Sequence, residues 1–526
     1  MLKKMLYVQS IEDGAVSDRV QRLAFLAACS LGIAFVSCYV LAPLVRSLRS
    51  PLRKLPGPWY APLTTLHLRY AFARGTIWKL VESKHRQYGP VFRHGPRQIW
   101  ISDKDALRTI LQKVDLPKIQ MYAEISRDAH SPGLFGEVRP DPHKTLKRFL
   151  SPRFTVAHVD KQTHLFEKCI GDLIAKYYQL TEAKAKTDVV VTDLMMDLHG
   201  LALDIMGECS FGRGFGQTLP VEEEYLGMED RIWLQIPHSI FHGMTQRYKM
   251  VYVKRWLRGL GIKLHFDWPA DMIRAIDAIV RERSDSKDHS RTDLLQHFLD
   301  SGTRPDSSAP MNTRDIIDQV SEILLAGSET TSGTIACLFL ELLHNPDKKA
   351  KLLDSLPVLT ATDPIINSKT VRTEPEFRYL NACIKETLRL HPIASEMGRK
   401  TGTDWYELAG YSIPPGTVVS ASYRHLHRNP EFWPEPLKFW PERWLEDENA
   451  RDGAPEPDIS AYYPFSAGQH SCIGINFAWA EMRMVAANVF ARFDLEDIMN
   501  QHVDFRQYIT MQLENGSHKV VLKQRF

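Results

Sequence analysis

Residues 465–474 read Phe-Ser-Ala-Gly-Gln-His-Ser-Cys-Ile-Gly, and this stretch decides how the chain is interpreted. Its one cysteine, Cys472, stands directly before an amphipathic run that predicts a helix. The positive end of a helix dipole and a cluster of free backbone N–H groups would stabilise a thiolate there. Gly468 permits a tight turn, and Gly474 allows the backbone to pass close to a flat ligand. Residues 465–474, called the cysteine loop below, are therefore suited to presenting a thiolate.

Three interpretations of Cys472 are open on these residues alone. It could be a buried small hydrophobe, which is what most cysteines are. It could be a nucleophile with His470 as its base, although the sequence suggests no second partner. It could also be the axial ligand of a haem iron, with the aromatic Phe465 beside it.

The composition excludes several other classes of protein. The 526 residues are 44% hydrophobic, which is ample for a large core, and 66 basic against 63 acidic residues give a net charge of +3. Nothing in this balance argues for a nucleic-acid partner. The seven cysteines are scattered without a CxxC pair, which fits neither a disulfide framework nor a zinc ribbon.

One apolar segment near the start predicts a membrane anchor. No charged residue occurs from Leu23 to Val45, and Arg22 and Arg46 flank the run. As a helix it would span roughly 35 Å, enough to cross a hydrocarbon core of about 30 Å. A buried core helix is the alternative, and the run is too long and starts too late for a cleaved signal peptide. The basic residues on the two sides are balanced, so the positive-inside rule does not decide the orientation.

The organisation predicted from these features has four parts. An N-terminal tail covers residues 1–22, the transmembrane anchor 23–45, a Pro-rich linker 46–62 and the catalytic domain 63–526. Apolar periodicity predicts a mostly α domain with small β-sheets (α+β). Its clearest helix runs from Asn312 or Thr313 to His344, before Pro346. Further helices are predicted over about 376–390 and 474–492, with short strands at 98–102 and 417–421.

The cysteine segment resembles the haem-binding signature of the cytochrome P450 family, which has Phe, Gly, usually Arg, Cys and Gly at these spacings. The resemblance implies the cytochrome P450 fold and a haem b whose iron is bound by the Cys472 thiolate. It also implies that Phe465, Gly468, His470 and Gly474 form the cofactor site. His470 stands where the family usually has an arginine against a haem propionate.

A second motif lies in the middle of the long helix, Ala326-Gly-Ser-Glu-Thr-Thr331. Gly327 would open room beside a flat cofactor, and an acid next to a hydroxyl suits a proton relay. The ordinary alternative is that Thr330 simply bonds back to the i−4 carbonyl. The resemblance implies that Thr330 helps to deliver protons for oxygen activation and that Glu329 supports it.

A third motif, Glu386-Thr-Leu-Arg389, places an acid and a base on one helix face. By itself it indicates a surface ion pair. The resemblance instead implies a buried network with Arg443, from Pro441-Glu-Arg-Trp444, which supports the cysteine loop. Removing one partner of such a network should cost on the order of 3–5 kcal/mol.

Residues 141–154 resemble the family's helix that contacts a haem propionate. The matching positions are His143 and Lys147, and Arg399 resembles a further propionate-binding position. Lys147 replaces the usual arginine, which keeps the charge but loses the bidentate fork. The alternative for each of these residues is a surface charge.

The resemblance covers essentially the whole chain and implies an NADPH-dependent monooxygenase that inserts one oxygen atom from O2 into an apolar small molecule. Electrons would come from NADPH-cytochrome P450 reductase, with cytochrome b5 as an optional donor. The enzyme would be a single-pass protein of the endoplasmic reticulum membrane, with its catalytic domain facing the cytosol. Residues 204–212 and 433–436 resemble filamentous-fungal members, which favours secondary metabolism of a terpenoid, polyketide or alkaloid.

Three alternatives to this function remain at the level of sequence. The enzyme could oxidise a sterol or fatty acid, or be a haem-thiolate isomerase or dehydratase that needs no O2, although the Glu329-Thr330 pair argues against the latter. A haem-binding sensor or sterol-binding membrane protein is the non-enzymatic alternative. Leu134, Phe135, the 231–245 stretch and 396–398 match segments where the family's substrate pockets vary, and they lean apolar. The alternative is that an apolar stripe belongs to the core.

Overall fold

A computed structural model of the chain describes residues 25–27, 29–30, 32, 34, 36–114, 116–124, 132–184, 189–219, 227–262, 264, 268–285, 291–447 and 449–525. The helices are α1 Ala42–Arg49, α2 Leu66–Ala73, α3 Ile77–Tyr88, α4 Lys104–Arg108, α5 Pro140–Leu150, α6 Val156–Lys161, α7 Thr163–Lys184, α8 Leu194–Phe211, α9 Met228–Lys249, α10 Val251–Gly259, α11 Ala270–Asp285, α12 Leu294–Ser301, α13 Thr313–His344, α14 Pro346–Ser355, α15 Ser368–Thr373, α16 Arg378–Leu390, α17 Tyr423–Leu426 and α18 Ile475–Arg492.

The strands are short and form four separate small sheets within the described residues. They are β1 Val91–Gly95, β2 Gln98–Ile101, β3 Val191–Asp193, β4 Glu396–Lys400, β5 Tyr406–Leu408, β6 Tyr411–Ile413, β7 Val418–Ser422, β8 Phe493–Asp497, β9 Phe505–Gln507, β10 Met511–Leu513 and β11 Lys519–Gln524. The largest sheet has the order β1-β2-β7-β4, and the others are β3-β11-β8, β5-β6 and β9-β10. The architecture is the mostly α arrangement with small sheets that the periodicity predicts.

The long helix α13 runs through the body and confirms the predicted boundaries. Asn312 caps its first turn through Asp315 N, and the Asp315 side chain returns the bond to Asn312 N, so both free donors are satisfied. Pro346 prevents its continuation beyond His344. The helix packs chiefly against α8, α16 and α18, and these elements form the main hydrophobic core.

The Pro-rich segment predicted as a linker is in large part packed onto the domain. Leu52 and Leu55 belong to a second hydrophobic core with strands β1, β2 and β7. The N–H of Arg93 on β1 donates a hydrogen bond to Pro56 O at 2.7 Å. A Cβ on Gly57 would lie 2.3 Å from Arg93 O, so a side chain there would force the two backbones apart. The apolar side chains of this segment therefore bind it to the sheet.

The predicted tail, residues 1–22, lies outside the described residues, and the predicted anchor, 23–45, falls partly outside them. The described end of the anchor is helical and leads into α1. Among the described residues, α13 is the one helix whose length and apolarity would suit a membrane span, and 67% of its most apolar stretch is buried inside the protein. That burial is the property of a core helix.

Candidate functional site

Cys472 lies between a short 3-10 turn, Gly468–His470, and the first residue of α18. Its N–H donates to Phe465 O at 3.0 Å, which closes the loop on itself. Cys472 lines an internal cavity of about 250 Å³ whose other wall is α13. This cavity is called the cysteine cavity below. Burial raises the pKa of the Cys472 thiol, while the Gly474 N–H and the charge of Lys147 oppose that shift. The loop therefore supplies donors and positive charge that favour the thiolate.

Gly468 is required where it stands, because the turn passes directly over another backbone. Its φ is +72°, in the left-handed region, and a Cβ there would lie 1.8 Å from Leu111 O. Gly474 is less constrained, since a Cβ would meet Cys472 Sγ at 3.9 Å, an ordinary contact. Both glycines were singled out from the sequence, and the structure separates a strict steric requirement at Gly468 from a looser one at Gly474.

The cavity wall beside the cysteine carries a buried cation with an unused donor. Arg399, on β4, is 1% exposed, and its Nη1 donates to Gly398 O at 3.1 Å. Its Nη2 is buried and has no hydrogen-bond partner among the described residues. A free buried guanidinium donor requires an acceptor, and an anionic one fits best. A thiolate opposite an apolar helix face, with such a cation at the edge, fits a haem with its carboxylates.

His143 and His470 line the same cavity, and their ring centroids lie 4.4 Å apart. Burial lowers the pKa of His143 to about 3, and the charges of Lys118, Lys147 and Arg399 add to that shift. Burial also lowers the pKa of His470 to about 2, with Arg399 as the next contributor. In the absence of a bound anion both rings are therefore neutral near pH 7, and each can offer an N–H donor.

Lys147 has a role that the sequence did not predict. Its Nζ donates to Gln469 O at 2.6 Å, to Ser471 O at 2.9 Å and to Ser471 Oγ at 3.1 Å. The ammonium group thus binds the carbonyls on either side of His470 and holds the cysteine loop against α5. A planar arginine fork would approach these acceptors with a different geometry.

The acid and base of the third motif are fully buried together. Arg389 donates through Nε to Glu386 Oε2 at 2.9 Å and through Nη2 to Glu386 Oε1 at 2.7 Å. Arg443 Nε lies 3.4 Å from Glu386 Oε1, and Trp444 Nε1 donates to Glu386 Oε2 at 2.9 Å. All three charged residues are at most 1% exposed. The surface ion pair of the bare motif is thereby excluded.

His427 connects this charged network to the cysteine segment, and sequence reasoning missed it. Its Nδ1 lies 3.2 Å from Arg389 O, and its Nε2 accepts a hydrogen bond from Tyr463 N at 2.8 Å. Burial lowers the pKa of His427 to about 3, so the ring is neutral. No local pattern marks this histidine, because both partners are distant in sequence.

Glu329 and Thr330 face different parts of the interior. Thr330 lines the cysteine cavity, and its Oγ1 donates to Ala326 O at 2.6 Å, the i−4 bond expected of an ordinary helical threonine. Glu329 Oε2 accepts from Thr510 Oγ1, on the loop between β9 and β10, at 2.8 Å. Burial raises the pKa of the Glu329 carboxyl, and the Thr510 hydroxyl opposes the shift. The involvement of the β9–β10 hairpin has no signal in the sequence.

Gly327 lines the cysteine cavity, but helix packing explains its lack of a side chain more directly. A Cβ there would lie 2.6 Å from Met206 Sδ, on α8. The glycine leaves room for the Met206 side chain between α8 and α13. The sequence predicted that Gly327 makes room beside a flat cofactor. The structure adds a second reason, which is the packing of Met206 against this position.

Three buried side chains hold residues 132–136 over the cavity. Glu322 accepts from the N–H groups of Gly133 and Gly136 at 3.2 and 2.9 Å, and Gln319 Nε2 donates to Pro132 O at 3.0 Å. Lys118 Nζ donates to the carbonyls of Leu134 and Phe135 at 2.9 and 2.7 Å. Burial lowers the pKa of Lys118 to about 7. This backbone is fixed by side chains that belong to none of the motifs in the sequence.

The predicted pocket residues divide into two groups. Leu134 and Phe135 line the cysteine cavity, and Glu396 and Gly398 line a second, adjoining region of about 290 Å³. The two regions share wall residues that include Ala326 and Thr330. In the 231–245 stretch, Trp233, Ile236 and Ile240 are at most 3% exposed and pack in the main core, as the alternative of core packing predicted.

Known proteins of one family match this chain along nearly its whole length. The family model described as Cytochrome P450 matches residues 55–520. Cytochrome P450 monooxygenase FUS8 of Gibberella fujikuroi is 28% identical over 521 residues, which cover 98% of this chain and 97% of that protein. Cytochrome P450 monooxygenase LUC2 of a Fusarium species is 27% identical, with 95% of each chain covered. Cytochrome P450 monooxygenase acrD of Aspergillus aculeatus is 27% identical, with 88% and 90% covered.

Proposed function

Because the chain belongs to the cytochrome P450 family, we propose that Cys472 binds its haem iron and that the adjoining cavity holds an apolar small molecule. The enzyme is a haem-dependent monooxygenase, which is the activity that the sequence motifs predicted. The observation that carries the proposed site is the Cys472 thiol, which opens into a cavity under the Thr330 face of α13. A hydroxylation would consume a substrate C–H, O2, two electrons and two protons and yield an alcohol and water. Epoxidation and multi-step oxidation are the other reactions that the predicted function includes.

Haem iron with a thiolate ligand, when bound, supplies dioxygen activation and favours O–O cleavage. The protein's part at this position is to fix Cys472 and to favour its thiolate against the effect of burial. The Gly474 N–H and the Lys147 charge favour the thiolate, and the bond from Cys472 N to Phe465 O fixes the loop. Gly468 allows that loop to lie against Leu111 O without a clash.

We assign proton delivery to Glu329 and Thr330. The buried Glu329 carboxyl has a raised pKa, so it retains a proton to higher pH than an exposed glutamate does. The Thr330 hydroxyl borders both regions of the cavity and can pass a proton from Oγ1 while it accepts one in return. Thr510 orients the Glu329 carboxyl through its hydroxyl.

We assign the binding of the haem carboxylates to four side chains: Arg399, His143, His470 and Lys147. Arg399 supplies the strongest support for this assignment, because its Nη2 donor has no partner among the described residues. The two histidines can each donate one N–H in their neutral form. Lys147 adds charge beside them although its Nζ also binds the loop carbonyls.

A monooxygenase of this family takes its electrons from a redox partner protein. We propose NADPH-cytochrome P450 reductase for this role, with cytochrome b5 as an optional second donor. Exposed basic residues occur in the two segments that contact the cysteine loop. They are Arg108 and Lys113, near Leu111 in the chain, and Lys144 and Arg148 on α5. Such charges would attract an acidic electron-transfer protein and make electron transfer sensitive to salt.

The proposed location is the endoplasmic reticulum membrane, with a single N-terminal span and the catalytic domain in the cytosol. Its support is the uncharged run from Leu23 to Val45 and the exposed apolar side chains at its described end, such as Leu41 and Leu44. Carbonate extraction of microsomes should leave the full chain in the membrane and release a chain that lacks residues 1–45. Release of the full chain would contradict the proposal.

The substrate class is proposed from the wall of the cavity. Phe135, Leu134, Ile119 and Leu325 make most of the wall apolar. A terpenoid, polyketide or alkaloid of fungal secondary metabolism is the proposed substrate. A sterol or fatty acid would suit the same wall, and a panel of these compounds, screened by absorbance shifts of the haem, discriminates between them.

Replacement of the ligand tests the site directly. Cys472→Ala should abolish the long-wavelength absorbance of the reduced carbon-monoxide complex that is typical of thiolate-ligated haem. Cys29→Ala, the same change at an exposed cysteine, is the matched control and should retain it. Retention of the absorbance in Cys472→Ala would overturn the assignment.

A further inference from the structure

Three side chains with metal-binding groups meet at the base of the β9–β10 hairpin. The register pairs Leu513 with Phe505. One residue further along, the N–H of Glu514 donates to Asp504 O at 2.8 Å, so these two residues stand opposite each other. One ligand atom from each of His502, Asp504 and Glu514 lies within 4.8 Å of the other two. Among the described residues, no other three histidine, cysteine or acidic side chains meet this distance.

This group of three, called the hairpin cluster below, is open to solvent and has little positive charge to balance it. The side chains of His502 and Glu514 are 65% and 53% exposed, and His502 Nε2 lies 3.6 Å from Glu514 Oε2. Within the described part of the chain, neither side chain makes an ion pair with any other residue. Asp504 accepts through Oδ2 from Lys79 Nζ on α3 and through Oδ1 from Phe505 N. Two opposed carboxylates thus share one lysine, and like charges opposite each other are destabilising.

The types of these ligand groups restrict the cation that they fit. One imidazole with two carboxylates suits zinc and similar divalent transition metals, which bind three protein ligands and keep a fourth position for water. Calcium and magnesium prefer six or more oxygen ligands, so an imidazole disfavours them. Zinc bonds of 2.0–2.2 Å place the ligand atoms of a tetrahedral site about 3.4 Å apart. Small rotations of exposed side chains would bring the hairpin cluster from its present spacing to that geometry.

We propose that His502, Asp504 and Glu514 form a binding site for a divalent metal ion of the zinc type, with water as the fourth ligand. The site is separate from the haem, since none of the three residues lines the cavity. A bound ion ties the chain before β9 to the chain after β10 and so stabilises the hairpin at its base. The loop at the other end of the hairpin carries Thr510, which binds Glu329.

The test uses the full chain loaded with haem, free of any affinity tag and treated with EDTA before the chelator is removed. Zinc sulfate is titrated into this protein in a calorimeter, which gives the dissociation constant and the stoichiometry. Thermal unfolding with and without zinc is the second measurement, because an ion that binds only the folded state raises the unfolding temperature. The wild-type protein should bind zinc and be stabilised by it.

Three variants connect zinc binding to the named side chains. His502→Asn and Glu514→Gln should each weaken binding at least about tenfold, because each removes one of three ligands. Both should unfold like the wild type when EDTA is present, since these exposed side chains contribute little stability by themselves. Lys79→Met should tighten binding about two- to fivefold, because Lys79 is 44% exposed and competes with the ion for Asp504.

His344→Asn is the matched control, because His344 Nε2 lies 3.4 Å from Asp497 Oδ2 in a similarly exposed pair outside the hairpin cluster. It should retain the wild-type affinity. Absence of zinc binding by the wild-type protein would overturn the site, as would an affinity within about twofold of wild type in both ligand variants. The carbon-monoxide spectrum of the same preparations reports on the haem site separately, so a failure of the proposed function would be distinguished from a failure of the metal site.

Discussion

His427 Nε2 accepts a hydrogen bond from the backbone N–H of Tyr463 at 2.8 Å, inside a wholly buried part of the protein. The other ring nitrogen, Nδ1, lies 3.2 Å from Arg389 O. The neutral ring with its proton on Nδ1 satisfies both contacts, whereas a second proton would set two N–H donors against each other. One imidazole therefore joins the Glu386–Arg389 pair to the segment that becomes the cysteine loop.

Because His427 makes these contacts as a neutral ring, we expect the free energy of unfolding to fall in acid. Burial lowers the pKa of His427 to about 3 in the folded protein, and the unfolded residue takes up its proton near pH 6.5. As the pH falls below about 6.5, the unfolded state binds the extra proton first and the free energy of unfolding falls, by up to about 1.4 kcal/mol per pH unit for this residue. Other buried histidines, such as His85 and His94, add to the slope.

Urea unfolding over a pH series measures that slope. His427→Asn should be less stable than wild type at neutral pH but lose less stability on acidification. His502→Asn, at a histidine that is largely exposed, is the control and should follow the wild-type curve. An unchanged slope in His427→Asn would show that this ring is not the sensitive group.

Lys147 is expected to fix the cysteine loop. Lys147→Met removes three hydrogen bonds to Gln469 and Ser471 and a positive charge that favours the thiolate. The variant should lose haem faster and give a smaller fraction of the thiolate-type carbon-monoxide spectrum. Lys144→Met, on the exposed side of the same helix, should behave as wild type. Equal haem retention in both variants would contradict this role.

Gly468 should not tolerate any side chain. In Gly468→Ala the new Cβ would lie 1.8 Å from Leu111 O at a positive φ, so the turn must move. We expect a loss of at least about 2 kcal/mol in stability and poor haem incorporation. Gly402→Ala is the control, because no atom lies within 4 Å of a Cβ there. Thermal unfolding with a haem-to-protein absorbance ratio measures both effects, and normal incorporation in Gly468→Ala would refute the expectation.

Thr510 is expected to act through Glu329. The Thr510 hydroxyl lowers the pKa of the Glu329 carboxyl against the effect of burial, so Thr510→Val should raise that pKa further. The ratio of product formed to NADPH consumed should fall, and its dependence on pH should shift upward. Thr510→Ser retains the hydroxyl and should restore wild-type behaviour. An unchanged pH profile in Thr510→Val would argue for a merely structural role.

Local signals in the sequence were sufficient to predict the main helices, and the family resemblance added Cys472 as the proposed haem ligand. The capping residues Asn312 and Asp315 and the terminating Pro346 predict the bounds of α13 without any other part of the fold. The cysteine loop is likewise a local pattern, since Phe465, Gly468 and Cys472 lie within eight residues of one another. Short-range hydrogen bonding and steric limits act between neighbours in sequence, and they are therefore readable from it.

Only the tertiary structure decided what surrounds these elements. The Glu386–Arg389 motif indicated a surface pair until the fold placed Arg443 and Trp444 against it and excluded water. His427 and Thr510 carry no motif, because the residues they act with are far apart in the chain. Burial, the pKa of a side chain and an unused hydrogen-bond donor depend on all neighbouring atoms in space. The sequence by itself determined the helix that follows Cys472 and, through the family resemblance, indicated the proposed thiolate ligand. Packing decided the charges, protons and polar groups of the cavity.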